Sequence, residues 1–308
     1  MSSAGTPSDV GALLEAERPR VEAALERARP TLTAELPESL AGPLEHSLSG
    51  GGKRLRPVLC ATAYRASAER TLADTPDGVY DLAVSLELIH TYSLMHDDLP
   101  CMDDAELRRG RPTPHTLFGE RATLLAGAVL IPGAADQAWR AARNLDLPDA
   151  VAREVVRRLL QAAGAGGMVG GQFLDLLGEG VELSGDELTE LHGRKTGALL
   201  TASLVLGGVA GGASRDEVEG LEEYGRALGL AFQITDDVLD ATASVGTLGK
   251  VPSDHELSKS TYVRSHGVDG ARAKAQETVN RGVARLQAAG FEDPVLEGLG
   301  RFVVERDR

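Results

Sequence analysis

Two cysteines, Cys60 and Cys101, are all that the 308 residues contain. That number excludes a disulfide framework and, by itself, a structural zinc site; a reducing cytosol is the expected compartment. Aromatic residues make up only 4% of the chain, and no alternating apolar–polar run is bounded by Asn-Gly or Asp-Gly, so strand signals are weak. No run of 18 or more uncharged apolar residues exists, which excludes a membrane-spanning helix. The segment MSSAGTPSDV lacks a basic stretch followed by an apolar one, so no secretory signal is expected. Positive charge is also scarce: 32 Lys and Arg against 46 Asp and Glu give a net charge of −14. A nucleic-acid partner needs a basic face and is not expected. A phosphorylated substrate stays open, because it needs only a local basic patch or bound cations.

Apolar residues are 42% of the chain, charged residues 25%, with 36 Gly, enough for a core and too ordered a composition for wholesale disorder. The patterning is helical almost throughout. Val79, Leu82, Ala83, Leu86, Ile89 and Ser93 follow a three–four spacing that starts at Thr75-Pro76 and stops near Asp98, ahead of Pro100. Ser184 to Glu187 is a capping box opening a helix that should pass Lys195-Thr196 and run to about Leu206. Ser214 to Glu217 repeats it for a helix through Gln233 to about Asp240, and Pro148 begins another that breaks near Gly164, Gly166 and Gly167. The Gly/Ser stretches are too short for interdomain linkers. The chain reads as a single all-α domain, 1–308, of about ten or more helices, with a polar, mobile loop expected from Ala243 to Ser260.

The sharpest feature is Asp97, Asp98, Asp103 and Asp104, four aspartates within eight residues at a helix end. Like charges repel and a helix C-terminus is itself negative, so the arrangement asks for a counter-cation. Oxygen ligands suit magnesium. The alternative is a solvated acidic helix end. A second cluster, Asp236, Asp237 and Asp240, lies near the end of another helix, with Asp236 and Asp240 on one face and Gln233 one turn earlier. Neither cluster is an EF-hand loop. Together they suggest a multi-magnesium site between facing carboxylates, completed by phosphate oxygens. Lys53, Arg54 and Arg56 follow a Gly-rich turn that is not a Walker loop; Arg108 and Arg109 follow the first cluster, and Lys195, Lys250 and Lys259 are spread along the second half. Arg forks and Lys point charges match phosphate.

The pieces GGKRLRP (51–57), HDDLPCMDDAELRRGRPT (96–113), GGQFLDL (170–176), KTGAL (195–199), FQITDDVLD (232–240), LGK (248–250) and KSTY (259–262) together resemble the trans-isoprenyl diphosphate synthases, the polyprenyl synthetase family. They keep the family's order and spacing over residues 45–262, and the first aspartate motif is similar to that of bacterial farnesyl and plant or bacterial geranylgeranyl synthases. The resemblance implies a helical bundle around a central cavity, a cytoplasmic homodimer, diphosphate substrates and three magnesium ions per site. It implies head-to-tail condensation of isopentenyl diphosphate with dimethylallyl or geranyl diphosphate, giving farnesyl diphosphate.

By the same resemblance Asp97, Asp98, Asp103 and Asp236 ligate magnesium, with Asp240 in support and Asp237 in the catalytic set. Arg108, Lys195 and Lys259 hold the allylic diphosphate, with Thr196, Gln233 and Lys250 close by. Lys53, Arg56, His90 and Arg109 bind isopentenyl diphosphate, and Gln172 and Asp175 stand behind. His90 lies two turns before Asp97, hence on its face; the alternative is a core histidine. Tyr92 and Ser93, about one turn before Asp97, stand where the family sets chain length, and a Tyr there goes with fifteen carbons; a twenty-carbon product is the alternative.

The chain departs from the family at Ala128, where an acid is usual, at Ile131-Pro132-Gly133, where a broken or kinked helix is expected, at a loop between Lys250 and Lys259 one residue short, and at Val263 in place of a Pro. A class I terpene cyclase is disfavoured by the Asp-rich second cluster and by GGKRLRP. A non-catalytic regulatory subunit is disfavoured because both aspartate sets are kept.

Overall fold

A computed structural model describes residues 10–242 and 261–306. The expected loop from Ala243 to Ser260, with Lys250 and Lys259, lies outside the described residues. Thirteen α-helices lie within them: α1 (Val10–Thr33), α2 (Glu38–Leu48), α3 (Leu55–Ala68), α4 (Asp77–Asp97), α5 (Pro114–Phe118), α6 (Glu120–Asn144), α7 (Asp149–Ala163), α8 (Met168–Leu177), α9 (Gly185–His192), α10 (Ala198–Ala210), α11 (Arg215–Thr242), α12 (Tyr262–Ala288) and α13 (Pro294–Glu305). The all-α reading therefore holds, and no described helix is long and apolar enough to cross a membrane.

Burial explains the layout. Helix α4 is buried on nearly every side, from Val79 and Tyr80 through Leu82, Ala83, Leu86, Leu88 and Ile89. A helix apolar all round belongs in the middle. Helices α1, α3, α6 and α10 pack around it. A second lobe of the core joins α11, α12 and α13 through Tyr224, Leu228, Ile234, Val279 and Leu296. The C-terminal ends of α4 and α11 carry the two aspartate clusters.

The local signals work where a cap writes them. Ser184 accepts the Glu187 N–H while the Glu187 carboxylate takes the Ser184 N–H at 2.9 Å. Ser214 and Glu217 repeat the exchange. Pro148 precedes α7, which ends at Ala163 before the expected glycines.

Three expectations change. The helix opened at Ser184 is not one α-helix: residues Gly193–Gly197 form a π turn between α9 and α10, and Lys195 and Thr196 lie in it. A π turn holds one residue more than an α turn, and such bulges occur frequently at functional sites. Helix α6 runs through Pro132 without interruption. The carbonyl that Pro132 leaves without its partner belongs to Ala128, an exposed residue, so water can satisfy it. Finally, a small hairpin appears where no strand was expected: β1 (Leu107–Arg108) pairs antiparallel with β2 (Arg111–Pro112).

Candidate functional site: two aspartate clusters around one cleft

Helix α4 ends at Asp97, and the Leu-Pro-Cys-Met segment folds back on itself. The Met102 N–H donates to the Leu99 carbonyl at 2.8 Å and the Asp103 N–H to the Asp97 carbonyl at 2.9 Å. The fold-back returns Asp103 beside Asp97. Burial pushes the Asp97 carboxyl up to about 6; Lys195 opposes that shift and the Asp103 charge adds to it. Asp98 is turned the other way. It is 1% exposed, and Arg108 grips it with Nη2 at 2.6 Å and Nε at 2.8 and 2.9 Å.

The hairpin sets the arginines. Its turn residues Arg109 and Gly110 both have positive φ, 54° and 74°, the pattern of a type I′ turn. Arg109 donates to the Gly51 carbonyl. Gly52 has φ +145°, and a Cβ there would stand 2.7 Å from Arg109 Nη1. The hairpin and the GGKRLRP segment are thus clasped together. Arg54 also has a left-handed backbone, φ 51°, and its buried guanidinium bridges Glu22 at 2.9 Å and Glu87 at 2.5 Å. That anchor sets Lys53, one residue before it, and Arg56, two after, along the cleft. Burial pushes the Arg56 guanidinium down to about 10, with Glu87 opposing and Arg109 adding repulsion, and its Nε makes no hydrogen bond. His90 is held well below the usual histidine range by burial, then by Arg56 and Arg109, so it is neutral at neutral pH.

On α11, Asp236 takes Gln233 Nε2 on Oδ2 at 3.1 Å and Arg306 Nη2 on Oδ1 at 2.6 Å. Asp237 serves a different purpose: its Oδ2 accepts the Tyr262 N–H at 2.8 Å, at the start of α12. Burial pushes Asp237 up to about 7, against that hydrogen bond. Asp240 is exposed. Lys195, on the π turn, is bonded to Asp175 Oδ2 at 2.6 Å. Burial works against its ammonium, but Asp175 and Asp97 outweigh burial and the pKa is raised. The contact needs Gly171, since a Cβ there would sit 2.1 Å from the Lys195 nitrogen. The Gln172 side-chain amide is buried with neither end hydrogen-bonded.

Two connected spaces result. A cleft of about 930 Å³ is lined by Lys53, Arg56, His90, Arg109, Thr196, Gln233, Asp236 and Arg306, among others. A narrower cavity of about 330 Å³ is lined by Asp97, Lys195, Tyr92, Ser93, Gln172 and Phe173. Arg56, His90 and Thr196 line both, so the two aspartate clusters border one depression. Tyr92 packs at a tilt against His96, ring centroids 4.4 Å apart and planes 58° apart, and His96 Nε2 meets the Leu124 carbonyl at 3.1 Å.

Among the described residues no three His, Cys or carboxylate side chains converge on one point to hold a metal alone. The donors are nevertheless right for a hard cation: carboxylate oxygens only, with burial raising the pKa of Asp97 and Asp236. Magnesium takes one or two protein carboxylates and fills its shell with phosphate oxygens and water. The residues fit that kind of site and not an all-protein cage. The expected metal set therefore divides: Asp97 and Asp103 stand together, Asp98 is committed to Arg108, Asp236 carries Arg306, and Asp240 lies one turn beyond. Sequence reasoning missed Arg306, the Arg54–Glu87 pair, and the cavity side chains Met102, Met168, Phe173 and Leu176; only the Arg54 motif carried a signal for any of them.

The sequence model of polyprenyl synthetases matches residues 37–289. The chain is 38% identical to the farnesyl diphosphate synthase of Geobacillus stearothermophilus over 298 residues, 96% of this chain and 97% of that one. It is 39% identical to geranylgeranyl pyrophosphate synthase 12, chloroplastic, of Arabidopsis thaliana over 260 residues, 83% and 70% of the two chains. Its fold is similar to a geranyltransferase from Helicobacter pylori solved in complex with magnesium and isoprenyl diphosphate, with TM-score 0.75, 30% identity and 98% of each chain covered.

Proposed function

The chain belongs to the polyprenyl synthetase family and is a prenyltransferase of prenyl chain elongation; from that premise we propose that it joins isopentenyl diphosphate head-to-tail to dimethylallyl and geranyl diphosphates, with magnesium, and stops at farnesyl diphosphate. One observation carries the reading: a cationic cleft and an apolar-floored cavity meet between two carboxylate clusters. The relatives include both farnesyl and geranylgeranyl synthases, so the product length rests on Tyr92.

Asp97 and Asp103 on one side and Asp236 and Asp240 on the other hold the metal, with Lys195 and Arg108 beside the first pair to take the allylic diphosphate. When bound, magnesium supplies charge stabilisation for the departing diphosphate. Lys53, Arg56 and Arg109 orient isopentenyl diphosphate, so its double bond meets the allylic carbon as the C–O bond breaks. A C–C bond forms, a proton passes to the departed diphosphate, and that diphosphate is released. Neutral His90 adds no charge that competes with the arginines. The side chains of the cavity exclude water from the allylic cation. No protein nucleophile is needed, and exposed Cys101 has no part. Tyr92, one turn below Asp97, closes the cavity at fifteen carbons.

The chain acts as a homodimer in this reading. Support comes from apolar side chains left exposed on α6 and α8, Leu124 (44%), Leu125 (52%), Phe173 (59%) and Leu177 (60%). The test is to incubate pure protein with magnesium, labelled isopentenyl diphosphate and each of dimethylallyl, geranyl and farnesyl diphosphate. Products stopping at fifteen carbons support the reading. Twenty carbons keep the reaction and overturn the Tyr92 floor, and no elongation with any starter overturns the function.

A further inference from the structure

One of the carboxylates assigned to magnesium already holds a cation of the protein's own. Arg306 follows α13 and turns back onto α11. Its Nη2 lies 2.6 Å from Asp236 Oδ1 and donates to the Phe232 carbonyl at 2.8 Å, and its Nε reaches the Val303 carbonyl at 3.2 Å. The guanidinium carbon lies 3.7 Å over the Phe232 ring. Only 8% of the side chain is exposed. The other oxygen of Asp236 takes Gln233. Both oxygens of Asp236 are therefore committed to protein donors, in a group that lines the diphosphate cleft.

We infer that Arg306 is a positioning residue of the condensation: it holds Asp236 in the resting enzyme and competes with a divalent cation for Oδ1. This rests on Asp236 as a metal-binding group, as proposed above. The geometry sets the two cations in competition for one oxygen. A magnesium–oxygen bond is about 2.0–2.1 Å long, whereas a guanidinium nitrogen sits 2.6 Å from the same oxygen. That oxygen has a second lone pair, but two positive charges would then share one atom of a half-exposed side chain and repel. Loading the metal therefore weakens the Arg306 contact, loosens the end of α13, and leaves a guanidinium available beside the phosphate-binding cations. Arg306 in this way sets how much metal the second cluster demands. A purely structural peg between α13 and α11 would leave metal affinity unchanged.

The probe is manganese with inorganic diphosphate, added to the full chain and followed by the electron paramagnetic resonance of free manganese. Arg306→Gln is expected to bind manganese about 10-fold more tightly than the unaltered protein, within the usual range of coupling between two sites. Arg306→Lys, which keeps the charge, is expected to restore most of the difference. Hydrogen exchange over 294–306 is expected to rise when manganese and diphosphate are added. In Asp236→Asn, it is expected to be high already without metal. Equal or weaker manganese binding by Arg306→Gln overturns the inference while leaving the metal site in place. Binding by no form overturns the metal site, and the inference with it. Should Arg306→Gln fail to fold, exchange in the unaltered chain decides: no rise on loading overturns the inference.

Discussion

Removing the Glu87 carboxylate strands a buried guanidinium. Arg54 is 5% exposed and Glu87 4% exposed, with 2.5 Å between Nη1 and Oε1. Breaking such a pair from one side destabilises by about 3–5 kcal/mol, because the remaining charge stays out of water. Arg54 keeps Glu22 at 2.9 Å, but that carboxylate is more than a third exposed and compensates only partly. Glu87→Ala should therefore lie near the lower end, about 3 kcal/mol, a large share of the roughly 5–15 kcal/mol that holds a domain folded. At about 2 °C per kcal/mol for a chain of this size, the midpoint should fall by roughly 6 °C. The double variant Arg54→Met with Glu87→Leu removes both charges and should recover most of that loss. The assay is urea unfolding of Glu87→Ala and of the cycle made by the unaltered chain, Arg54→Met, Glu87→Leu and their double, all at one protein concentration, read as the coupling between the two changes. A loss under about 1 kcal/mol for Glu87→Ala, or a double variant no better than the sum of the singles, refutes the picture of a buried, mutually dependent pair.

Other outcomes follow from the same geometry. Tyr92→Ala should lengthen the product beyond fifteen carbons in a chain-length analysis; an unchanged product means the cavity is closed elsewhere. Gly171→Ala would place a Cβ 2.1 Å from backbone that cannot yield, so Lys195 should shift and kcat/KM should fall by about 100-fold, the scale of a 1 Å misplacement. A variant with near-normal turnover removes Lys195 from the diphosphate site. Without divalent cations, the folded chain binds protons at Asp97 and Asp237 more tightly than the unfolded chain does, because burial raises them to about 6 and about 7. Their contribution to stability is therefore full below the ordinary carboxylate range and lost as pH rises to about 7. The melting temperature of the metal-free protein should be higher at pH 5.5 than at pH 8, with magnesium and diphosphate narrowing the gap. A flat or reversed profile would count against the buried carboxylates.

What the sequence reveals, and what it hides, depends on how far apart the cooperating residues lie. The ends of α7, α9 and α11 are legible because Pro148, Ser184 and Ser214 act on backbone a few residues away. Both aspartate clusters are legible as clusters, since each fits within eight residues. Their individual duties are not. Asp98 turns to Arg108, ten residues on; Asp237 turns to the Tyr262 N–H, 25 residues on; Asp236 takes Arg306, 70 residues on. No periodicity records such pairings. The hairpin was hidden because its turn uses Arg109 in a left-handed conformation that glycine or asparagine would normally announce. The continuous α6 shows the converse, a proline read as a break where an exposed position tolerates it.

The π turn at Gly193–Gly197 has a consequence for what this segment can survive. The extra residue sits within one widened turn, so shortening it by one residue would restore an ordinary α turn and leave α9 and α10 presenting nearly the same faces. Leu188 and Leu191 would stay buried on α9, while Lys195, carried on the widened turn itself, would leave Asp175. A single deletion here would therefore spare the packing and take the phosphate-binding lysine out of its place. The widened turn is thus a place where the site can be lost without the fold.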